Sequence, residues 1–165
     1  MRFIGNKESI VEQIDSFIDS KIASNDKLIL FDAFCGTGSV SDRLKDKFSI
    51  AINDNLKWAS VYTAGRLYAP ICHFERLGFD PFEFLNQSCD EIHGFIYKTY
   101  APTESDRMYF TPENAARIDY FRNQIEEWYR SELLTEPEYM FLLASLIESV
   151  SKVSNTAGVY GAFLK

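Results

Sequence analysis

Eight consecutive residues, Asp32-Ala33-Phe34-Cys35-Gly36-Thr37-Gly38-Ser39, carry the most readable chemistry of this chain. They follow the apolar run Leu28-Ile29-Leu30, so a strand runs into two glycines and then into a helical pattern from Ser39. Glycine at 36 and 38 lets the backbone pass close beneath a ligand, because a side chain there would block the approach. A structural tight turn uses the same spacing, so the neighbouring residues decide between the two readings.

Three neighbours do so. A dinucleotide-binding turn wants a third glycine or alanine where this chain has Ser41, which disfavours a nicotinamide cofactor. A second strand, Ile50-Ala51-Ile52, ends in Asn53-Asp54, and a carboxylate at that place accepts the hydroxyl hydrogens of a ribose. Asp54 also suits the start of the helix that follows, and the two roles are compatible. Asp32 pairs with a cationic ligand group and repels a diphosphate. The turn therefore suits a nucleoside with positive charge and no phosphate. S-adenosylmethionine, with its amino group, sulfonium and ribose, has that composition. Cys35 is small enough for a tight turn, and as a nucleophile it would require a histidine base that only His73 or His93 offers.

The elements that must position these residues follow from periodicity. Ile10, Ile14, Phe17, Ile18 and Ile22 predict an amphipathic helix packing on something, fading near Ser24-Asn25-Asp26. Strands are predicted at Lys27 to Phe31 and Phe48 to Asn53, with helices at Ser39 to Lys47 and Leu56 to Tyr68, a βαβ unit with a parallel pair. Beyond Ala69 helix signals dominate. Asp80-Pro81 opens a short helix, Ile92 to Tyr100 reads as a short helix or extended segment, and Thr111-Pro112 and Thr135 before Pro137 start two long helices expected to pair as an antiparallel hairpin. Two regions result: a cofactor-binding βαβ portion at 1–70 and a mostly helical region at 71–165, packed as one unit.

The 165 residues, 46% hydrophobic and 15% aromatic, suffice for one sizeable core. The longest apolar run, Met140 to Ile147, is far below the roughly 20 residues a bilayer requires. No signal-peptide core opens the chain, so the expected compartment is the cytoplasm. Cys35, Cys72 and Cys89 are widely spaced, which predicts neither a disulfide framework nor a metal site. A net charge of −7 requires any nucleic-acid contact to come from local basic patches or another chain. Arg107, Arg117, Arg122 and Arg130 are candidates, but Glu126, Glu127, Glu132 and Glu136 crowd the same segments, so a solvated mixed-charge face is the simpler reading.

Asp32-x-Phe34-x-Gly36-x-Gly38-Ser39 resembles the cofactor motif of adenine-specific DNA methyltransferases of the Dam type. Arg2-Phe3-Ile4-Gly5-Asn6-Lys7 looks like the aromatic-x-Gly-x-Lys motif that precedes it there, and Asn53-Asp54-Asn55 is similar to the family's ribose-binding strand end. Asn155 to Lys165 looks like the Gly-x-Tyr-Gly stretch that follows the family's helical insertion. The resemblance implies that Phe3 and Lys7 line the methionine end of the cofactor and that Ala33, Phe34, Cys35, Gly36 and Gly38 contribute backbone. It also implies that Asp32 faces the methionine amino group, and that Asn53 and Asp54 form the ribose end. Tyr160 and Lys165 fall near the substrate side. Phe3 as an ordinary aromatic anchor and Lys7 as a solvated charge are the duller alternatives.

The family transfers its methyl group with Asp-Pro-Pro-Tyr, which this sequence lacks; Asp80-Pro81-Phe82-Glu83 reads as a helix start. The expected fold is therefore α/β, an incomplete Rossmann-like methyltransferase sheet with a mostly helical C-terminal region and no catalytic residue of its own. The expected function is cofactor binding within a DNA adenine methyltransferase, inactive until a second chain, or self-association, supplies the remaining sheet and the Asp-Pro-Pro-Tyr motif. The alternatives are a non-catalytic DNA- or protein-binding module that keeps the fold, and, less favoured, a small-molecule methyltransferase.

Overall fold

The computed structural model describes residues 5–22, 28–88 and 90–156. Phe3, Cys89, Tyr160 and Lys165 lie outside the described residues. The elements run α1 (Val11–Lys21), β1 (Ile29–Asp32), α2 (Ser39–Leu44), β2 (Ser49–Ile52), α3 (Lys57–Tyr68), a 3-10 turn (Ala69–Ile71), α4 (Pro81–Gln87), α5 (Phe95–Tyr100), α6 (Pro112–Arg130) and α7 (Glu136–Val153). The result is a helix-rich α/β arrangement around a two-stranded parallel sheet, with Ile29 opposite Ser49 and Asp32 opposite Ile52.

Alternation along the strands turns Leu30, Ile50 and Ile52 toward the helices, while Ile29 (75% exposed) and Phe31 (64%) share the open face with Ala51. Among the described residues neither outer edge of the sheet is paired. Such an edge, with bare N–H and C=O groups beside apolar side chains, invites another strand.

The predicted helix α1 forms, but its apolar stripe does not pack as expected: Phe17 is 63% exposed, and Ile10 and Ile22 are also exposed. The buried residue is Asp15, which accepts from Arg43 Nε (2.8 Å) on α2 and from Lys47 Nζ in the turn after it. Charge pairing rather than burial of apolar surface therefore fixes α1 on its neighbour. Helix α2 ends at Leu44 instead of Lys47, because Lys47 and Phe48 N–H both return to the Leu44 carbonyl (3.0 Å each) as the chain turns into β2.

The helical half matches its start signals. Asp80 caps α4 through Phe82 and Glu83 N–H, Thr111 caps α6 through Asn114 N–H, and Thr135 forms a reciprocal capping box with Glu138 on α7. Residues 92–100 divide: Ile92 N–H bonds the Ala116 carbonyl in extended form, and α5 begins only at Phe95, where buried Asp119 accepts from Ile96 and Tyr97 N–H. Ile125, Trp128 and Leu142 lead one core, with Leu77, Leu85, Tyr120 and Leu134 around them. The start of α7 packs against the end of α6, as an antiparallel hairpin requires, with Tyr139 stacked 4.1 Å from Tyr129. The most extensive packing of α7 is nevertheless with α3, a pairing the hydrophobic pattern did not announce.

At the hairpin, Glu126 accepts from Tyr139 Oη (2.7 Å), Arg122 (2.8 Å) and Arg130 (2.9 Å). These donors hold its carboxyl down at about 2, below the ordinary 4.5. A depressed native value means the stabilisation is complete above the unfolded value and is lost as acid protonates the native carboxylate. Thermal midpoints should therefore fall between pH 4.5 and about 2, and Glu126→Gln should flatten that part of the profile. An unchanged slope in the variant would remove Glu126 from the acid transition. The same pairing occupies Arg122 and Arg130, in keeping with a mixed-charge surface; Arg107 lies over Tyr100 and Arg117 over Phe121.

Candidate cofactor-binding site

The turn after β1 and the end of β2 are brought into direct contact. Asn53 N–H bonds the Asp32 carbonyl (2.8 Å), extending the ladder one step, and Cys35 N–H bonds the Asn53 carbonyl (3.0 Å). Asn53 Nδ2 donates to the Ala33 carbonyl (3.1 Å). Gly36 N–H donates to Asp54 Oδ2 (2.9 Å), and Leu56 N–H to Asp54 Oδ1 (2.9 Å). Asp54 thus stitches the glycine turn to the approach of α3 as a local Asx-type cap. These two N–H groups, Leu56 first, hold the Asp54 carboxyl below its usual value, so it is ionised at neutral pH. Each of its oxygens keeps a further lone pair for a ligand hydroxyl.

Both glycines have positive φ, +52° at Gly36 and +74° at Gly38, where any other residue is strained. A Cβ at Gly36 would enter open space, whereas one at Gly38 would stand 2.8 Å from Thr63 Cγ2. The first glycine leaves the approach to the turn clear, and the second admits α3. Ser41, where a nucleotide-binding fingerprint has glycine or alanine, is fully buried and donates to Asp32 Oδ2 (2.6 Å), locking α2 to the end of β1. The amides of Phe34 and Thr37 donate to no acceptor among the described residues, and the Phe34 ring is 85% exposed.

Lys7 is exposed and donates to the Gly5 carbonyl (2.8 Å), while its neighbour Glu8 approaches Arg66 Nη1 (4.0 Å). Burial pushes the Cys35 thiol up, which opposes a role as a nucleophile. His93 stacks on Tyr97. The described residues hold no metal-ligating cluster.

Sequence reasoning missed the residues that brace the turn from α3. Thr63 Oγ1 donates to the Gly36 carbonyl (3.1 Å), and Arg66 Nη1 to the Thr37 carbonyl (2.9 Å), while Arg66 Nη2 pairs with Asp42 (2.7 Å). Against the opposing pull of burial, Lys45 and Arg66 hold the Asp42 carboxyl below its ordinary value. Their spacing on one helical face was the available signal. The opposite side of α3 meets α7: Tyr62 Oη donates to Glu148 (2.5 Å), and burial together with that carboxylate pushes the phenol up to about 12.

The family model for the D12 class N6 adenine-specific DNA methyltransferase matches residues 3–165. This chain belongs to that family. Its relatives include the modification methylase LlaI of Lactococcus lactis subsp. lactis, 37% identical across 100% of this chain and 27% of that protein. The type II methyltransferase M.FokI of Planomicrobium okeanokoites is 34% identical, again over 100% of this chain and 27% of its own length. The type II methyltransferase M.NlaIII of Neisseria lactamica is 37% identical over 100% of this chain and 49% of its own. The chain thus spans between about a quarter and a half of the length of these relatives. No solved structure gives a significant match.

Proposed function

We propose that this chain is the S-adenosylmethionine-binding portion of an adenine-specific DNA methyltransferase of a restriction–modification or DNA-marking system, working in the cytoplasm. The observation that carries this reading is the 2.9 Å bond between Gly36 N–H and Asp54, within a chain of the D12 class. The residues present fit the cofactor: an open approach at Gly36, amides at Phe34 and Thr37 with no acceptor among the described residues, and an ionised carboxylate with spare acceptor capacity. Asp54 would hold the ribose, with Asn53 fixing the turn beside it. Asp32, whose Oδ2 is taken by Ser41, would turn its other oxygen to the methionine amino group. Phe3 and Lys7 at the methionine end, and Tyr160 and Lys165 toward the DNA, complete the assignment. When bound, the cofactor supplies an electrophilic methyl group for the adenine amine.

The sequence contains no Asp-Pro-Pro-Tyr, and Asp80-Pro81 is spent on capping α4. The sheet edges, unpaired among the described residues, and the exposed Ile29 and Phe31 suit further strands of a Rossmann-like sheet. We therefore assign methyl transfer to these 165 residues joined with a polypeptide, in the same chain or in another, that brings those strands and that motif. The expected result with labelled S-adenosylmethionine and DNA is no incorporation by this chain alone, and incorporation once such a polypeptide is added. Incorporation by the chain alone would overturn the division of labour. Cofactor binding without incorporation in any mixture would favour a non-catalytic DNA- or protein-binding module.

A further inference from the structure

We propose that Thr63 and Arg66 are positioning residues for the cofactor turn, gripping the carbonyls of Gly36 and Thr37 so that the Thr37 amide between them stays turned toward the ligand. This rests on the cofactor reading above. The two side chains stand three residues apart on α3 and so share a face. They take hold of consecutive peptide units, Gly36 through Thr63 Oγ1 (3.1 Å) and Thr37 through Arg66 Nη1 (2.9 Å).

A planar trans peptide carries its C=O and N–H on opposite sides. Holding the Gly36 carbonyl toward α3 therefore directs Thr37 N–H away from it, and that amide has no acceptor among the described residues. The next amide, Gly38 N–H, is already used by the Cys35 carbonyl (2.7 Å). A unit flanked by glycines turns over easily, and a flip would point a carbonyl oxygen where a donor is needed. The grip opposes that flip.

Both gripping groups are themselves fixed. Thr63 is fully buried, with its methyl group where a Gly38 side chain would sit. Arg66 is anchored by Asp42 Oδ2 (2.7 Å), so one planar guanidinium serves a carboxylate and a carbonyl at once. A lysine at 66 cannot reproduce that fork.

Hydrogen–deuterium exchange across residues 33–40 of the cofactor-free chain, followed by calorimetric titration with S-adenosylmethionine, tests the grip in Arg66→Gln, Arg66→Lys, Thr63→Val and Thr63→Ser. Losing one such bond should quicken exchange of the turn about tenfold and weaken binding about tenfold in the first three variants, with exchange elsewhere unchanged. Thr63→Ser, which keeps the hydroxyl, should hold both values near wild type. Unchanged turn exchange in Arg66→Gln and Thr63→Val, or exchange quickened equally throughout the chain, overturns the assignment. A wild-type chain that binds, with variants that bind as well as it does, overturns the grip alone. A wild-type chain that gives no heat overturns the cofactor reading, and the purpose of the grip with it.

Discussion

Replacing Asp54 by alanine is expected to weaken S-adenosylmethionine binding by about a hundredfold or more. Two contributions combine. A ribose hydroxyl held by a carboxylate is a charge-assisted contact, each worth about 1.5–3 kcal/mol where water is excluded. The same side chain also accepts Gly36 and Leu56 N–H, so its removal loosens the turn that must meet the ligand. Asp54→Asn keeps one acceptor oxygen and should fall between alanine and wild type. Calorimetric titration gives the affinities, and far-ultraviolet dichroism shows whether the variants are folded. Equal affinities in a folded Asp54→Ala chain would separate this carboxylate from the cofactor altogether.

The largest stability effect is expected from Gly65→Val. An added Cβ at this position would lie 2.4 Å from Ala144 Cβ and 2.6 Å from the Met140 carbonyl oxygen, both on α7. Backbone cannot swing aside as a flexible side-chain tip can, so α3 and α7 must separate along their most extensive contact. Overpacking of this kind costs about 1–3 kcal/mol and more where the obstacle is rigid, so a loss of at least about 3 kcal/mol is expected in urea unfolding. Gly65→Ala brings that same Cβ and should already show most of this loss. A change below about 1 kcal/mol for valine would show that the two helices part easily.

The glycine turn, both strands and most helix starts were legible because local chemistry settles them. Thr111, Thr135 and Asp80 act through amides two or three residues away, and the turn's glycines act through their own φ. The placement of Asp54 against Gly36 was legible for a related reason, since parallel strands joined by one helix must bring the ends of both to the same side. Three features were not legible. Periodicity places apolar residues on a face but cannot say that Asp15 would be the residue α1 buries, because that depends on Arg43 of α2 and Lys47 of the following turn approaching it. Nor does it choose between partners for α7: the pairing with α3 rests on Gly65, a position whose missing side chain looks merely neutral in a helical pattern. Thr63 and Arg66 read as ordinary helix surface until the turn is laid across them.

Because α3 touches the glycine turn on one side and α7 on the other, lesions one residue apart on it fail in different ways. A variant of this helix that no longer takes up ligand could equally be a defect of capture or of folding. Only a comparison of the two flanks of that single helix, Arg66 on one and Gly65 on the other, would say which had failed.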